Sequence, residues 1–382
     1  MFGRMRRLTD EQRAIRDTTR DFVRKEIAPH AAEWDRSATT PLDTVRRAGS
    51  LGLFGVCVPP EWGGVGADFI SYILATEELA YGDAGVCNML SATNAFGWKL
   101  RDHGTPEQKA RYLRPVASGH ELACLLFTEP QAGSDAANQK TRAVARGDRW
   151  VINGTKTFIT SGRSASVAVL LAVTDPTAGK RGISAFLTRT DRPGYRVVRV
   201  EDKLGHRSND TCQIALEDLE VSAGDMLGAP GQGLKIALAY LDTGRIGVAA
   251  QAVGVARAAL DALVYARERE TFGKKLIEHQ AIAFMLAEMA TDVEVARQMT
   301  LHAAELKQAG QRCIKEASMA KLFAAQMCER VCSAAIQVHG GYGFVGDYPV
   351  EKYYRDARVF QIYDGTNEVQ KILISRELIG GR

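Results

Sequence analysis

Gly341-Tyr342-Gly343-Phe344-Val345-Gly346 spells the G-x-G-x-x-G pattern of a dinucleotide site, the most chemistry-laden motif in this chain. The fingerprint works only after a strand and before a helix, whose N-terminus faces the pyrophosphate, whereas here a long helical pattern precedes it. A glycine-rich turn between helices is the plainer reading. Such a cluster still lets backbone amides approach a phosphate, so it stays a cofactor candidate. Cys328 and Cys332, four apart on an expected helix, have a metal-compatible spacing, but no matching His or Cys pair lies nearby and core packing is the better account. His206 and His339 are lone histidines with structural or solvent-facing roles. G-x-S-x-G, P-loop and H-E-x-x-H are absent, which removes the usual support for hydrolase, kinase and zinc-protease chemistry, and no metal is expected.

The elements that must position such residues fall into three blocks. With 382 residues, 46% of them apolar, the chain can bury a large core without disulfides. Lys and Arg exceed Asp and Glu by 49 to 45, a net +4 too small to argue for nucleic acid. No run of eighteen uninterrupted apolar residues predicts membrane insertion. The start, MFGRMRRLTDEQ, lacks an apolar signal core, and seven scattered cysteines suit a reducing compartment, so a soluble cytoplasmic protein is expected.

From Thr9, a plausible N-cap, Ile15, Thr19, Phe22, Val23 and Ile27 recur at helical spacing, and helices are expected at Leu42–Leu51, Phe69–Tyr81 and Pro106–Ser118. Short β-branched runs follow: Leu122–Thr128, Trp150–Ile152, Lys156–Thr160, Val167–Val173, Ile183–Leu187, Tyr195–Val200 and Cys212–Leu216. Asn153-Gly154 between two of them suits a type I′ hairpin turn, and the density of strands predicts an antiparallel barrel or sandwich. Long helices are expected again at Gly233–Glu268, Ile277–Gly310, Cys313–Val338 and Asp347 to about Leu378, with lengths that suit a four-helix bundle. An α+β chain results, with an N-terminal all-α domain over 1–120, a middle β domain over 121–230 and a C-terminal helix bundle over 231–382.

Several stretches then stand out together: Thr128-Glu129-Pro130-Gln131-Ala132-Gly133-Ser134-Asp135, Phe158-Ile159-Thr160-Ser161-Gly162, Arg269-Glu270-Thr271-Phe272-Gly273, Tyr354-Arg355-Asp356-Ala357-Arg358 and Ile362-Tyr363-Asp364-Gly365-Thr366-Asn367-Glu368. With Pro59–Gly64, Leu241–Gly247, Gln337–Gly343 and the Ser375-Arg376-Glu377 tail, they make the chain resemble the acyl-CoA dehydrogenase family from end to end. The family's helical, β and helix-bundle order is the one periodicity predicts.

That resemblance implies FAD, a homotetramer, an acyl-CoA substrate and an electron-transferring flavoprotein as partner. By motif match, Thr128 and Thr160 would hydrogen-bond the flavin ring, with Phe158 where the family often has Trp. Arg269, Thr271, Phe272, Gln280, Gln337, Gly340 and Gly341 correspond to contacts with the pyrophosphate and adenosine, and Thr366 and Glu368 to further FAD contacts. Ser134, Asp242, Arg245 and Gly365 fit the thioester-binding pattern. Taken without the resemblance, a strand Thr is explained by propensity and a helix Arg by solvation.

Desaturating a thioester next to its carbonyl requires a positioned base to take the α-proton while a hydride leaves the β-carbon for flavin N5. The family's base is ordinarily Glu; the matching position here is Asp364, and the alternative base position, on the bundle helix before Arg245, holds Gly244. A reacting group displaced by about 1 Å can lose on the order of a hundredfold in rate, so the shorter side chain points to a short, branched or alicyclic acyl group, or to slower or different chemistry. Aspartate here also resembles relatives acting on alicyclic acyl-CoAs and nitroalkane oxidases. Phe96 and Trp98 either shorten the acyl pocket or belong to the core. The competing readings are a family-fold oxidase, a desaturase of carrier-protein-bound acyl groups, and a flavoprotein without catalysis.

Overall fold

The computed structural model describes residues 8–380; the basic start on which the no-leader expectation partly rested lies outside them. The chain divides into two compact units that interleave along the sequence.

One unit comprises the segment ending at Asp35, Ala67–Cys87 and the chain from Arg245 onward. Its first helix, Asp10–Phe22, begins at Thr9 with a reciprocal cap: Thr9 Oγ1 accepts from Gln12 N–H and Gln12 Oε1 from Thr9 N–H, both at 3.1 Å. It packs on Phe69–Gly82, which also meets the long helix Gln280–Gln308. Gln280–Gln308 and Ile314–His339 form the central pair, against which Val350–Ala357 and Asn367–Leu378 lie. Small buried residues at Ala317, Ala320, Ala324, Cys328 and Ala335 let these helices approach closely.

The final helical stretch is not continuous. Asp347 to Leu378 breaks into Val350–Ala357, a tight turn at Arg358–Gln361, an irregular segment at 362–366 and Asn367–Leu378. Gly365, with φ +90°, and Thr366, whose hydroxyl caps the last helix through Val369 N–H, explain the break. The Gly233–Glu268 stretch likewise divides, into Gly233–Leu238, Leu241–Leu260 and Ala262–Glu268. Taken whole, it is apolar enough to cross a membrane, but 78% of its most apolar window is buried in the protein, as in a core helix.

The other unit, Arg36–Gly66 and Asn88–Gly244, is built on an eight-stranded sheet. Its strands are β1 (Ala123–Leu126), β2 (Arg142–Arg146), β3 (Arg149–Thr160), β4 (Val167–Val173), β5 (Ile183–Arg189), β6 (Tyr195–Val200), β7 (Thr211–Ser222) and β8 (Met226–Leu227), in the order β6-β7-β3-β2-β4-β5-β8, with β1 beside β4. Most neighbours are antiparallel, but β1 and β2 both run parallel to β4, so the sheet is mixed rather than purely antiparallel. The β2–β3 excursion separates β1 from β4 by enough chain for a parallel crossover. Phe96, Leu100, Tyr112 and Val116 from helices pack on Val167, Val169, Leu171 and Leu187 from strands in one buried cluster. Phe96 is therefore core, and Trp98 is also buried.

Asn153-Gly154 is not a hairpin turn. It lies inside β3, which runs unbroken past it, and the register against β7 shifts between Ile152 and Gly154. Asn153 exchanges hydrogen bonds with Asp218 across the sheet, at 2.9 Å from Nδ2 and 2.8 Å to Oδ1, fixing a bulge instead. A side chain at Gly154 would lie 2.7 Å from Thr141 Cα, so the glycine serves close backbone approach.

Candidate active site

In the sheet unit, the backbone ties the segment that carries Thr128 to β3, the strand that ends at Thr160. Thr157 N–H donates to the Thr128 carbonyl at 2.9 Å, joining the segment after β1 to β3 three residues before the strand ends. A second bulge in β3, between Lys156 and Ile159, turns Phe158 outward: its φ is +56° and its side chain is 66% exposed. A bulky residue in the left-handed region with an exposed ring is a strained arrangement that packing within this unit does not require. Thr160, two residues on, accepts from Asn88 Nδ2 at 3.2 Å.

The loop carrying Ser134 is organised by one carboxylate. Glu129 accepts from Lys156 Nζ at 2.7 Å, Gln131 Nε2 at 2.7 Å, Lys140 N–H at 2.7 Å and Thr141 N–H at 3.1 Å. Lys156 also donates to Gln139 Oε1 at 2.7 Å. Glu129 and Lys156 are buried, while Ser134 stands exposed on the loop they brace. Burial raises the Glu129 carboxyl, but the Lys156 ammonium together with the bonds from Lys140 and Thr141 more than offsets it and holds it below its ordinary range; burial pushes Lys156 down to about 8. Asp242 lies in the first turn of Leu241–Leu260 and is half-buried.

In the helical unit, Asp364 is exposed, with φ +50°, in the middle of the irregular segment 362–366 before the last helix. Aspartate tolerates this region better than most side chains. The turn is braced on several sides. Tyr363, the residue before, donates its hydroxyl to Gln251 Oε1 at 2.6 Å. The Gly365 carbonyl, on the other side, accepts from Lys321 Nζ and from Gln370 Nε2, both at 2.8 Å. Asn367 Nδ2 donates to Gln361 Oε1 at 3.0 Å. Lys321 is fully buried, and burial pushes it down to about 8 against the opposing pull of Asp364, with Arg245 adding to the lowering and Glu368 opposing it. Arg245 is itself buried, and Glu368 is exposed at the start of Asn367–Leu378, its carboxyl held low by its helix-start hydrogen bonds.

The same unit places the remaining sequence candidates at its surface. Glu270–Thr271 and Lys274–Lys275 form a two-stranded hairpin whose turn, Phe272-Gly273, has φ of +52° and +77°, a type I′ pattern. Phe272 at its tip is 97% exposed. Thr271 contacts His279 at 3.2 Å, next to exposed Gln280 at the start of the long helix. Arg269 lies 5.7 Å over the Tyr342 ring, and Gln337, Gly340 and Gly341 are exposed. The G-x-G-x-x-G run follows the long helix Ile314–His339 and forms one short turn of helix, Gly341–Phe344, so it is no strand-to-helix fingerprint. His339 stacks on Tyr265 at 4.2 Å, and its Nδ1 meets the Ala335 carbonyl at 2.8 Å. Cys328 and Cys332 are buried with sulfurs 4.0 Å apart, and no metal-holding group of His, Cys, Asp and Glu occurs among the described residues.

Each unit thus carries groups suited to a flavin dinucleotide: hydroxyls and an outward aromatic ring in one, a guanidinium and open glycine backbone in the other. Lys321, Gln370 and Gln251, which hold the Asp364 turn, and Lys156, which holds the Ser134 loop, lie outside the motif stretches, while Tyr363 and Glu129 lie inside them without their bracing role being legible there. One signal was present: Lys321 interrupts an otherwise small and apolar helical stripe of Ala317, Ala320 and Ala324.

Models of the acyl-CoA dehydrogenase N-terminal, middle and C-terminal domains match residues 9–120, 124–219 and 231–379. A short-chain specific acyl-CoA dehydrogenase of Clostridium acetobutylicum is 44% identical, over 97% of this chain and 98% of that one. The structure of butyryl-CoA dehydrogenase from Megasphaera elsdenii is 41% identical and superposes with a TM-score of 0.96, over 98% of this chain and all of the other. A chain from a study of the electron transferring flavoprotein of Acidaminococcus fermentans is 44% identical, also with a TM-score of 0.96, over 98% and 99%. The three family models over nearly the whole chain, with relatives of this similarity, define an enzyme, a flavin-dependent oxidoreductase. The chain belongs to the acyl-CoA dehydrogenase family.

Proposed function

We propose that the protein is an FAD-dependent dehydrogenase of short, branched or alicyclic acyl-CoA thioesters, with Asp364 as the base, working as a homotetramer that passes electrons to an electron-transferring flavoprotein. The observation that carries this reading is the exposed Asp364 carboxylate in the middle of a turn braced through Tyr363 and Gly365. Such bracing suits a group that must meet a substrate carbon within a fraction of an ångström.

Asp364 would take the proton from the carbon next to the thioester carbonyl, and its backbone N–H would donate to the thioester oxygen as negative charge gathers there. Thr128, Thr160 and Phe158 would hold and cover the flavin ring, and Thr366 and Glu368 would make further contacts to the cofactor. Arg269, Thr271, Phe272, Gln280, Gln337, Gly340 and Gly341 would hold its pyrophosphate and adenosine, some of them across subunits. FAD, when bound, supplies the acceptor for the β-hydride. Ser134, Asp242, Arg245 and Gly365 would hold the thioester arm. The short reach of Asp364 favours compact acyl groups, and similarity to a short-chain specific relative and to butyryl-CoA dehydrogenase supports the same class.

An anaerobic flavin-reduction screen with butyryl-, octanoyl-, isobutyryl- and cyclohexanecarbonyl-CoA tests the reading. Bleaching by butyryl-, isobutyryl- or cyclohexanecarbonyl-CoA faster than by octanoyl-CoA is expected. No bleaching by any of them would overturn it, and stoichiometric peroxide in air would replace it with the oxidase.

A further inference from the structure

Lys321 is the charged side chain of an otherwise small and apolar stripe on Ile314–His339, fully buried, with its Nζ 2.8 Å from the Gly365 carbonyl. A long cationic side chain is rarely placed so deep without a task, since removing an ammonium from water is expensive unless it is paired and hydrogen-bonded. Gly365 is covalently joined to Asp364, so the hydrogen bond acts one peptide away from the carboxylate. We propose that Lys321 is the positioning residue of the base: its ammonium fixes the carbonyl that follows Asp364 and adds positive charge that favours the carboxylate form. This inference rests on the reading of Asp364 as base.

The division of labour follows from the two donors on Gly365. Gln370 Nε2 donates to the same carbonyl at 2.8 Å but carries no charge, so it can hold the turn without tuning the acid. Lys321 does both. The charged groups that act on its ammonium are Asp364 on the turn, Arg245 on Leu241–Leu260 and Glu368 on Asn367–Leu378; the two carboxylates favour the charged form and the guanidinium opposes it. Burial brings Lys321 down to about 8, so near neutral pH it is still a cation, and above that its positive charge on the Gly365 carbonyl fades. Removing that charge leaves Asp364 easier to protonate, which moves the acid limb of the reaction toward higher pH.

The test uses the flavin-loaded enzyme and whichever thioester of the screen above reduces it fastest, in anaerobic stopped flow across pH 5 to 9. Lys321→Met is expected to lower the limiting reduction rate by at least about tenfold, to change the thioester Kd by less than about threefold, and to move the acid limb upward by about one pH unit. Lys321→Arg restores the wild-type limb because the charge returns. Lys321→Gln keeps a donor without charge; it retains more rate than Lys321→Met and shows the same displaced limb, and it carries the test if Lys321→Met fails to hold flavin. A wild-type limb in Lys321→Met or Lys321→Gln, beside an inactive Asp364→Asn, overturns the role of Lys321 alone. Full reduction rates in Asp364→Asn overturn the base reading, and this inference with it.

Discussion

Lys156 and Glu129 form a 2.7 Å ion pair with both side chains shut away from water, and the carboxylate of that pair also accepts the backbone N–H groups of Lys140 and Thr141. One buried charge thereby fixes the loop on which Ser134 stands. Removing a single partner of such a pair strands the other. Glu129→Leu should lower stability by about 3 to 5 kcal/mol, read as a fall in unfolding midpoint. It should also weaken thioester binding more than it slows flavin reduction, a split that titration and stopped flow measure separately.

Asp364→Asn should lose about 100- to 10,000-fold in flavin reduction, with the flavin still bound, because the amide cannot take a proton. Asp364→Glu extends the base by one methylene. If reach sets the preference, it gains on octanoyl-CoA and loses on cyclohexanecarbonyl-CoA; equal changes on both would assign the preference to the shape of the pocket.

Lys321 also makes stability depend on pH. Its native value of about 8 lies below the ordinary lysine value of 10.5, so between these the native chain binds fewer protons than the unfolded one. The contribution is complete above pH 10.5 and is lost as pH falls through 8, about 3 kcal/mol over the window. Unfolding midpoints measured from pH 7.5 to 10.5 should therefore rise more steeply in the wild type than in Lys321→Met; parallel curves would contradict the assignment.

Phe272 occupies a left-handed position in a type I′ turn where Asn is preferred, and its ring is almost wholly exposed. Phe272→Asn should leave the hairpin intact or firmer while flavin retention on a desalting column falls severalfold. Stability without loss of flavin would show that the ring serves another contact.

Gly154 sits where a methyl group would meet the Thr141 backbone. Gly154→Ala should cost about 1 to 3 kcal/mol, visible in the melting temperature, since Thr141 is held in place by its N–H bond to Glu129 and by Val173 N–H donating to its carbonyl.

Local pattern determined much of this protein. The Thr9 cap, the helix from Asp10, the positions of most strands and the long helices of the C-terminal half are legible because capping and periodicity act over a few residues. Asp364, Phe158, Phe272 and the other candidate contacts were picked out by motif, since their order along the chain is itself the signal. What only tertiary structure decided is how those residues are held. That Asn153-Gly154 is a bulge depends on Asp218, 65 residues away; that the Gly365 carbonyl in the turn after Asp364 is held from outside its own segment depends on a lysine 44 residues earlier. Hydrogen bonds of that span leave no periodic trace, because they are fixed by where two distant segments come to lie and not by the spacing of residues along either one.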